Sequence, residues 1–432
     1  MGWLALDDTD TLEGGCTTHT FHKILSELNK MSINGRPWSH SSDERLVRLW
    51  PYAARRTRGN AAVSAKIEID SELRDEFFET VELLFSKYVQ TPSKNIPVSH
   101  HSRRKQYPAA PVLIWFEKKP SEEHYWNAVR NEVNAVQIFE EIKSTNGIKI
   151  WSYDEIDGII GAQAAAAWEG THSCTWELTA YRSNNMIGKQ RIVPLEIVTK
   201  MDEKFPETIL NRDPNASQSL IAPRSNCPVL YGIRSRDSIS AESAHLWMQT
   251  QCEIEHSPTY RIWRTNQATD DHLIGKWVGT ALQDAQVHEN GHATVKVTAR
   301  LENNMIQGGV RKSEISLTLV AFSKGGPVNS VLRGIMEGDV FEWRGLISPS
   351  GDNHVEKIKM QKPVLRNRKR PLCKCGKRMK SLGKGQGLRC PKCKTVSEDK
   401  WVGEKYVPHL ESKNGWVQPN IDSRRHLASP LQ

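Results

Sequence analysis

The apolar positions of the chain are spaced for helices and single strands over roughly its first two thirds and alternate as short strands after that. Trp3-Leu-Ala-Leu is a brief apolar run and predicts a buried strand over 3–8, ending in Asp7 and Asp8. Phe21, Ile24, Leu25 and Leu28 follow at helical spacing and predict a helix with one apolar face, starting near Thr17 or Thr18. The same logic predicts a strand over 61–69, a helix over 71–88, an irregular loop over 91–111 and a strand to Phe116. Beyond these it gives one helix over 121–143, a small-residue helix over 156–168 and a strand over 176–181. Residues 192–270 read as strands with one helix near 241–251. From Lys276 the pattern changes to strands at 277–282, 293–301, 313–322, 339–348 and 354–361, with a short helix at 328–336. Five strands with a helix between the third and fourth is the element order of an OB-fold β-barrel.

Composition narrows this only modestly. The chain has 432 residues, 38% hydrophobic and 25% charged, as ordinary multidomain globular proteins do. No apolar run is long enough to span a bilayer, and the start lacks the basic region of a signal peptide. A cytoplasmic protein is expected. Charge changes the picture more. Between Lys362 and Lys405 stand 15 Lys or Arg against 3 Asp or Glu, whereas the whole chain carries +9. The positive charge is therefore concentrated in one C-terminal stretch, as polyanion-binding modules require. Arg366, Arg368, Lys369, Arg370, Lys377, Arg378 and Lys380 are the candidate RNA contacts within it.

Four of the eight cysteines fall in that stretch. Cys373-x-Cys375, fourteen residues, then Cys390-x-x-Cys393 brings two thiolate pairs together on two turns, the ligand pattern of a structural Zn²⁺ site. Four thiolates leave the metal no open position. So small a module needs its metal to fold.

The N-terminal half carries the candidate chemistry. Asp7, Asp8 and Asp10 crowd one strand end, where a cation relieves their repulsion; Mg²⁺ with a nucleotide's phosphates suits hard oxygen ligands. Gly14 and Gly15 allow close backbone approach, and the helix N-terminus offers N–H groups to a phosphate. Thr17 or Thr18 would serve there as cap, phosphate ligand or phosphoryl acceptor. An acidic, solvated turn with an ordinary N-cap explains the same residues. No Walker motif and no G-x-G-x-x-G after a strand occurs, so any ATP binds by another scheme. Arg58, Gly59 and Asn60, in a run of three arginines, are candidate phosphate contacts.

Several runs together point to one family. The strand ending Asp7-Asp8-Thr9-Asp10, Gly14 to Thr18, Thr57-Arg-Gly-Asn60, Ile159-Ile-Gly-Ala162, Trp176-Glu-Leu-Thr-Ala-Tyr-Arg182 and Cys227-Pro-Val-Leu-Tyr-Gly-Ile-Arg234 are its motifs. The chain resembles the archaeal isoleucine-tRNA 2-agmatinylcytidine synthetases over essentially its whole length. That resemblance implies a multidomain α+β protein. An α/β kinase-like catalytic domain (1–195) would be followed by a ferredoxin-like domain (196–272), the OB-fold (273–362) and a zinc ribbon with tail (363–432). It also implies ATP-dependent conjugation of agmatine to the wobble cytidine of CAU-anticodon isoleucine tRNA. ATP activates the carbonyl at ring position two, the amine displaces it, and the product reads AUA. The family's phosphorylatable threonine corresponds to Thr17, with Thr18 beside it. The competing readings are a non-catalytic RNA-binding factor and a related ATP-dependent enzyme using another amine or RNA. Three carboxylates on a strand end argue against the first.

Overall fold

The computed structural model describes residues 1–10, 14–33, 36–37, 39–56, 59–92, 107–302, 314–383, 385–406 and 412–431. The expected loop over 91–111 lies largely outside them. The chain is a multidomain α+β protein and divides into two compact units. One comprises Met1–Leu273 with Arg424–Pro430, the other Ile274–Ser423 with the last two residues.

The first unit is built on one eight-stranded sheet. In chain order its strands are β1 (Gly2–Asp7), β2 (Ser39–Arg48), β3 (Ala61–Ile69), β4 (Val112–Phe116), β5 (Ile148–Ser152), β6 (Thr175–Tyr181), β7 (Val229–Ser235) and β8 (Thr259–Thr265). The spatial order is β7-β6-β8-β2-β3-β1-β4-β5. The apolar run of β1 lies between β3 and β4, which explains why Trp3 to Leu6 are all buried. β8 runs parallel to β2, with Arg264 opposite Arg45 and Thr265 opposite Leu46, and this pairing joins the two halves of the sheet.

Helix α1 (Thr17–Lys30) buries Phe21, Ile24, Leu25 and Leu28, the stripe its spacing predicts. Helix α2 (Arg74–Tyr88) packs beside it. The segment read as one helix over 121–143 is two, α3 (Glu123–Arg130) and α4 (Ala135–Ile142). The break is local chemistry: Asn131 is extended, and the Asn134 side chain accepts hydrogen bonds from the N–H groups of Val136 and Gln137, capping a new helix. Helix α5 (Gly158–Ala167) is apolar all round and almost wholly buried, which suits a helix inside the unit. Helices α6 (Leu195–Lys204) and α7 (Ser238–Gln249) cover β6 and β7. The first of these has no counterpart in the expected elements, although Pro194 precedes Ile197, Val198 and Met201, all buried. β6 and α6, on either side of residue 195, share one apolar cluster.

The second unit holds β9 (Lys276–Ala281), β10 (Ala293–Glu302), β11 (Ile315–Ala321), α8 (Pro327–Arg333), β12 (Val340–Ile347) and β13 (Asn353–Lys362). These are the five expected strands with a helix between the third and fourth. β9 pairs with both β12 and β10, β12 with β13, β13 in parallel with β11, and β11 with β10. Alternate residues of β10, from Ala293 to Ala299, point into a core with Trp277, Trp343 and Phe341.

Candidate active site

The end of β1 delivers its carboxylates into a cavity of about 700 Å³ in the first unit, lined among others by Asp7, Asp8, Asp10, Cys16, Thr17 and Thr18. A pocket of that size suits a small-molecule ligand. The chain turns sharply here, with Asp8 at φ 57°. Asp7 Oδ1 accepts the Asp8 N–H at 2.7 Å, and Asp8 Oδ2 accepts the Ala110 N–H at 3.2 Å. Helix α5 can lie against this turn only because of two glycines. A Cβ at Gly161 would overlap Asp7 Oδ2, and one at Gly158 would stand 2.5 Å from the Ala110 carbonyl oxygen. The Ile-Ile-Gly-Ala motif is therefore the other half of the acid turn.

Burial drives the electrostatics. It raises the Asp7 carboxyl well above its usual range, and the Asp8 and Asp10 charges raise it further. Asp8 is pushed up to about 7 by burial, then by Asp10; the Arg55 guanidinium opposes that shift. Arg55 Nε lies 3.9 Å from Asp8 Oδ2, and its Nη1 lies 3.4 Å from Asp157 Oδ2. Carboxylates that hold protons this strongly form a site short of positive charge. Carboxylate oxygens are the donor type Mg²⁺ takes, but among the described residues only the four cysteines converge closely enough to hold an ion.

Of the glycine loop, the structure brings Cys16 to the cavity wall but not Gly14 or Gly15. Gly15 has φ +79°, and a Cβ there would come within 2.6 Å of the Thr9 carbonyl oxygen. Among the described residues nothing stands within 4 Å of where a Cβ on Gly14 would be. Cys16 stands at the N-cap of α1 with extended backbone. Thr17 is buried; the Thr9 N–H and hydroxyl lie 3.4 and 3.3 Å from its Oγ1. Thr18 Oγ1 lies 3.1 Å from Cys16 Sγ. Gly59 and Asn60 also line the cavity; a Cβ on Gly59 would overlap an Arg48 nitrogen. Arg58 lies outside the described residues.

A second wall was not read from the sequence. Arg48 Nη2 and Glu177 Oε2 are 3.5 Å apart, Gln267 donates to Glu177, and Arg234 and His426 stand in the same lining. Gly232 makes room for the Glu177 carboxylate. The available signal was a glutamate on the inward face of an apolar strand, Trp176-Glu-Leu-Thr-Ala-Tyr. A buried charge there demands a partner.

In the second unit the four cysteines converge. Cys373 Sγ to Cys393 Sγ is 3.3 Å and Cys375 Sγ to Cys390 Sγ is 3.5 Å, and all four sulfurs lie within 4.8 Å of one another. One ion with Zn–S distances of about 2.3 Å spans such a set. Of the basic candidates, Lys369, Lys377, Arg378 and Lys380 are exposed. Arg366 is engaged internally: it pairs with the fully buried Asp339 and donates to the Gly334 and Val364 carbonyl oxygens. Arg370 pairs with Asp399 and lies 3.9 Å over the half-exposed Trp401 ring. Arg368 belongs to the strand Leu365–Lys369.

Three domain models of one family match the chain: the TiaS TCKD domain over residues 3–154, the TiaS FLD domain over 157–272 and the TiaS C-terminal zinc ribbon domain over 370–405. Among curated relatives, TiaS of Methanopyrus kandleri, the 2-agmatinylcytidine synthetase of isoleucine tRNA 2, is 31% identical, over 100% of this chain and 96% of its own. That of Archaeoglobus fulgidus is also 31% identical, over 99% of this chain and 96% of its own. Among solved structures, a tRNA fluorescent labeling enzyme superposes with TM-score 0.75 at 26% identity, covering 100% of this chain and 97% of the other. The complex of TiaS with isoleucine tRNA 2 and ATP gives 0.74 at 26% identity, covering 100% and 96%.

Proposed function

We infer the reaction from one premise: this chain belongs to the TiaS family, the 2-agmatinylcytidine synthetases of isoleucine tRNA 2. It is an ATP-dependent ligase that joins agmatine to a cytidine of that tRNA, and its partners are the tRNA, ATP and agmatine. The observation that carries the reading is the acid turn. Asp7 and Asp8, whose carboxyls burial holds protonated, line one cavity with Asp10 and two helix-terminal threonines.

Our finer reading assigns the parts. Asp7, Asp8 and Asp10 hold Mg²⁺, which draws charge from the nucleotide's phosphates when bound. The N-terminus of α1, with Gly14, Gly15, Thr17 and Thr18, faces a phosphate, and Thr17 or Thr18 is the phosphoryl acceptor. Gly59 and Asn60, in the cavity lining, are further phosphate contacts, and Arg58 precedes them in sequence. The wobble cytidine of the CAU anticodon leaves its stack to reach the cavity. The carbonyl oxygen on its ring carbon two is a poor leaving group until ATP phosphorylates it. The primary amine of agmatine then bonds to that carbon, the carbon–oxygen bond breaks, and phosphate departs with the oxygen. The product pairs with A and reads AUA.

The surrounding units follow the same reading. We take residues 1–195 as a kinase-like catalytic domain and 196–272 as a ferredoxin-like one. Residues 273–362 form an OB-fold barrel, a reading supported by the return of β9 to both β12 and β10. Residues 363–432 are a zinc ribbon and tail whose exposed basic residues grip RNA phosphates. The cysteine cluster holds Zn²⁺ in a structural role.

The test is incorporation of radiolabelled agmatine into CAU-anticodon isoleucine tRNA with Mg²⁺-ATP. Wild-type protein should label the RNA only when ATP and the wobble cytidine are both present. Asp8→Asn should lower the rate by at least about 100-fold, the scale of losing one electrostatic group at a phosphoryl-transfer site, with tRNA binding retained. Unchanged turnover in that variant would remove Asp8 from the metal site.

A further inference from the structure

After Ser423 the chain returns to the first unit, to which residues 424–430 belong. They are held there by backbone and side chain alike. The Ala268 N–H donates to the His426 carbonyl oxygen at 2.9 Å, the Asp270 N–H donates to that of Leu427 at 2.8 Å, and the Ser429 N–H donates to Asp270 Oδ1 at 2.8 Å. Leu427 is buried with Val47, Leu49, Ala62 and Tyr125. Arg425 donates to the Tyr52 hydroxyl at 3.0 Å. The packing is thus done by Leu427 and its neighbours.

His426 does something else. The residue is solvent-exposed and lines the active-site cavity. Its Nε2 would stand 3.8 Å from a Cβ placed on Gly59, beside the Arg48 guanidinium. Arg48, then burial, then Arg234 hold the imidazole well below its usual pKa, so the ring is neutral at physiological pH. The two arginines face one carboxylate, Glu177, so this corner of the cavity keeps a positive balance. Of the groups the reaction brings together, a phosphate is favoured here, whereas the dicationic agmatine is repelled.

We propose that His426 contacts ligand: its imidazole donates a hydrogen bond to a phosphate oxygen of the bound nucleotide, and the segment 424–430 carries it to the cavity. A neutral donor stabilises the phosphate without adding a third cation to a corner that already holds two. The proposal rests on the ATP-dependent reading above. A phosphate could also come from the RNA backbone, and the two sources separate by experiment.

The measurement is steady-state agmatine incorporation with His426→Ala, His426→Gln and a chain ending at Ser423, with melting temperature and tRNA affinity determined for each. His426→Ala should raise KM for ATP by about 10-fold or more, the loss of one hydrogen bond to a charged group. KM for agmatine and tRNA affinity should stay within about twofold. His426→Gln keeps an N–H donor at similar reach and should recover most of the ATP affinity. The truncated chain should lose ATP affinity and also melt lower, because Leu427 leaves with it. An unchanged KM for ATP in His426→Ala overturns the proposal. So does weakened tRNA binding with intact ATP affinity, which would assign the phosphate to RNA, and so does a glutamine variant that melts normally but is as impaired as alanine. Wild-type protein that labels no RNA would instead sink the parent reading, before any variant is compared.

Discussion

Gly161 decides whether the Asp7 carboxylate can stand where it does. A methyl group at that position would occupy the space of Asp7 Oδ2, and the buried helix α5 has no room to retreat. Gly161→Ala should therefore leave the fold largely intact, since alanine favours helix, while displacing the carboxylate. A shift of about 1 Å in a catalytic group costs about 100-fold in rate. Agmatine incorporation should fall by that order with a near-normal melting temperature; wild-type activity would show that the Asp7 position is not critical. At this scale the sequence was partly legible. The acids, the glycine loop and Thr17 and Thr18 stand within twelve residues, and the structure brings the acids and the threonines to one cavity but not Gly14 and Gly15. Arg48, Glu177, Arg234 and His426 come from four distant segments. No local spacing announces them, and only a charge on an apolar strand at Glu177 hinted at a partnered interior.

Helix α1 shows how an element is tied to its sheet by groups that must stay neutral. His19 and His22 both pack on the Tyr181 ring of β6, at 5.0 and 4.8 Å between centroids. Arg261 of β8 donates from Nε to His22 Nδ1 at 3.0 Å, which requires an unprotonated nitrogen. Burial lowers His19 to about 4; burial, then Arg261, lowers His22 to about 3. On α7, burial lowers His245 to about 4, and its Nδ1 lies 2.8 Å from the Tyr231 hydroxyl. All three bind protons more readily in the unfolded chain. Their contribution is complete above about pH 6.5 and is lost as pH falls toward the folded values, because unfolding then takes up protons. The melting temperature should accordingly fall between pH 7 and pH 5, by about 2–4 °C for each kcal/mol lost. His22→Gln, which keeps an acceptor without a titrating ring, should flatten that slope. A slope unchanged by the substitution would assign the acid sensitivity to other groups. The helices were legible wherever apolar spacing was regular, as in α1. They were misread where a polar cap interrupts a regular stripe, as Asn134 does between α3 and α4.

The acid turn and the cysteine module belong to different units of the molecule. Element order along the chain revealed the five-stranded unit and the cysteine module, because each is local in sequence. The joining of β8 to β2 was not legible: Asn266 exchanges hydrogen bonds with the backbone of Arg48, 218 positions away, and no periodicity encodes such a partner. Separation of the parts has a measurable consequence. The four cysteines and the basic residues around them lie in the second unit, and the acid turn lies in the first. Cys390 is fully buried in the small cluster with Cys373, Met379 and Leu388, so Cys390→Ser removes a ligand from the centre of the module's only core among the described residues. That variant should bind no zinc and lose tRNA affinity. It should also show a shallower dependence of log affinity on log salt, because each phosphate no longer neutralised by the protein subtracts about 0.7–0.9 from the slope. Nucleotide binding by the first unit should be unchanged. Full zinc occupancy would contradict the four-thiolate site. Equal loss of ATP and tRNA affinity would mean that the ribbon supports the catalytic unit's fold, and that the division between the two units is not a division of labour.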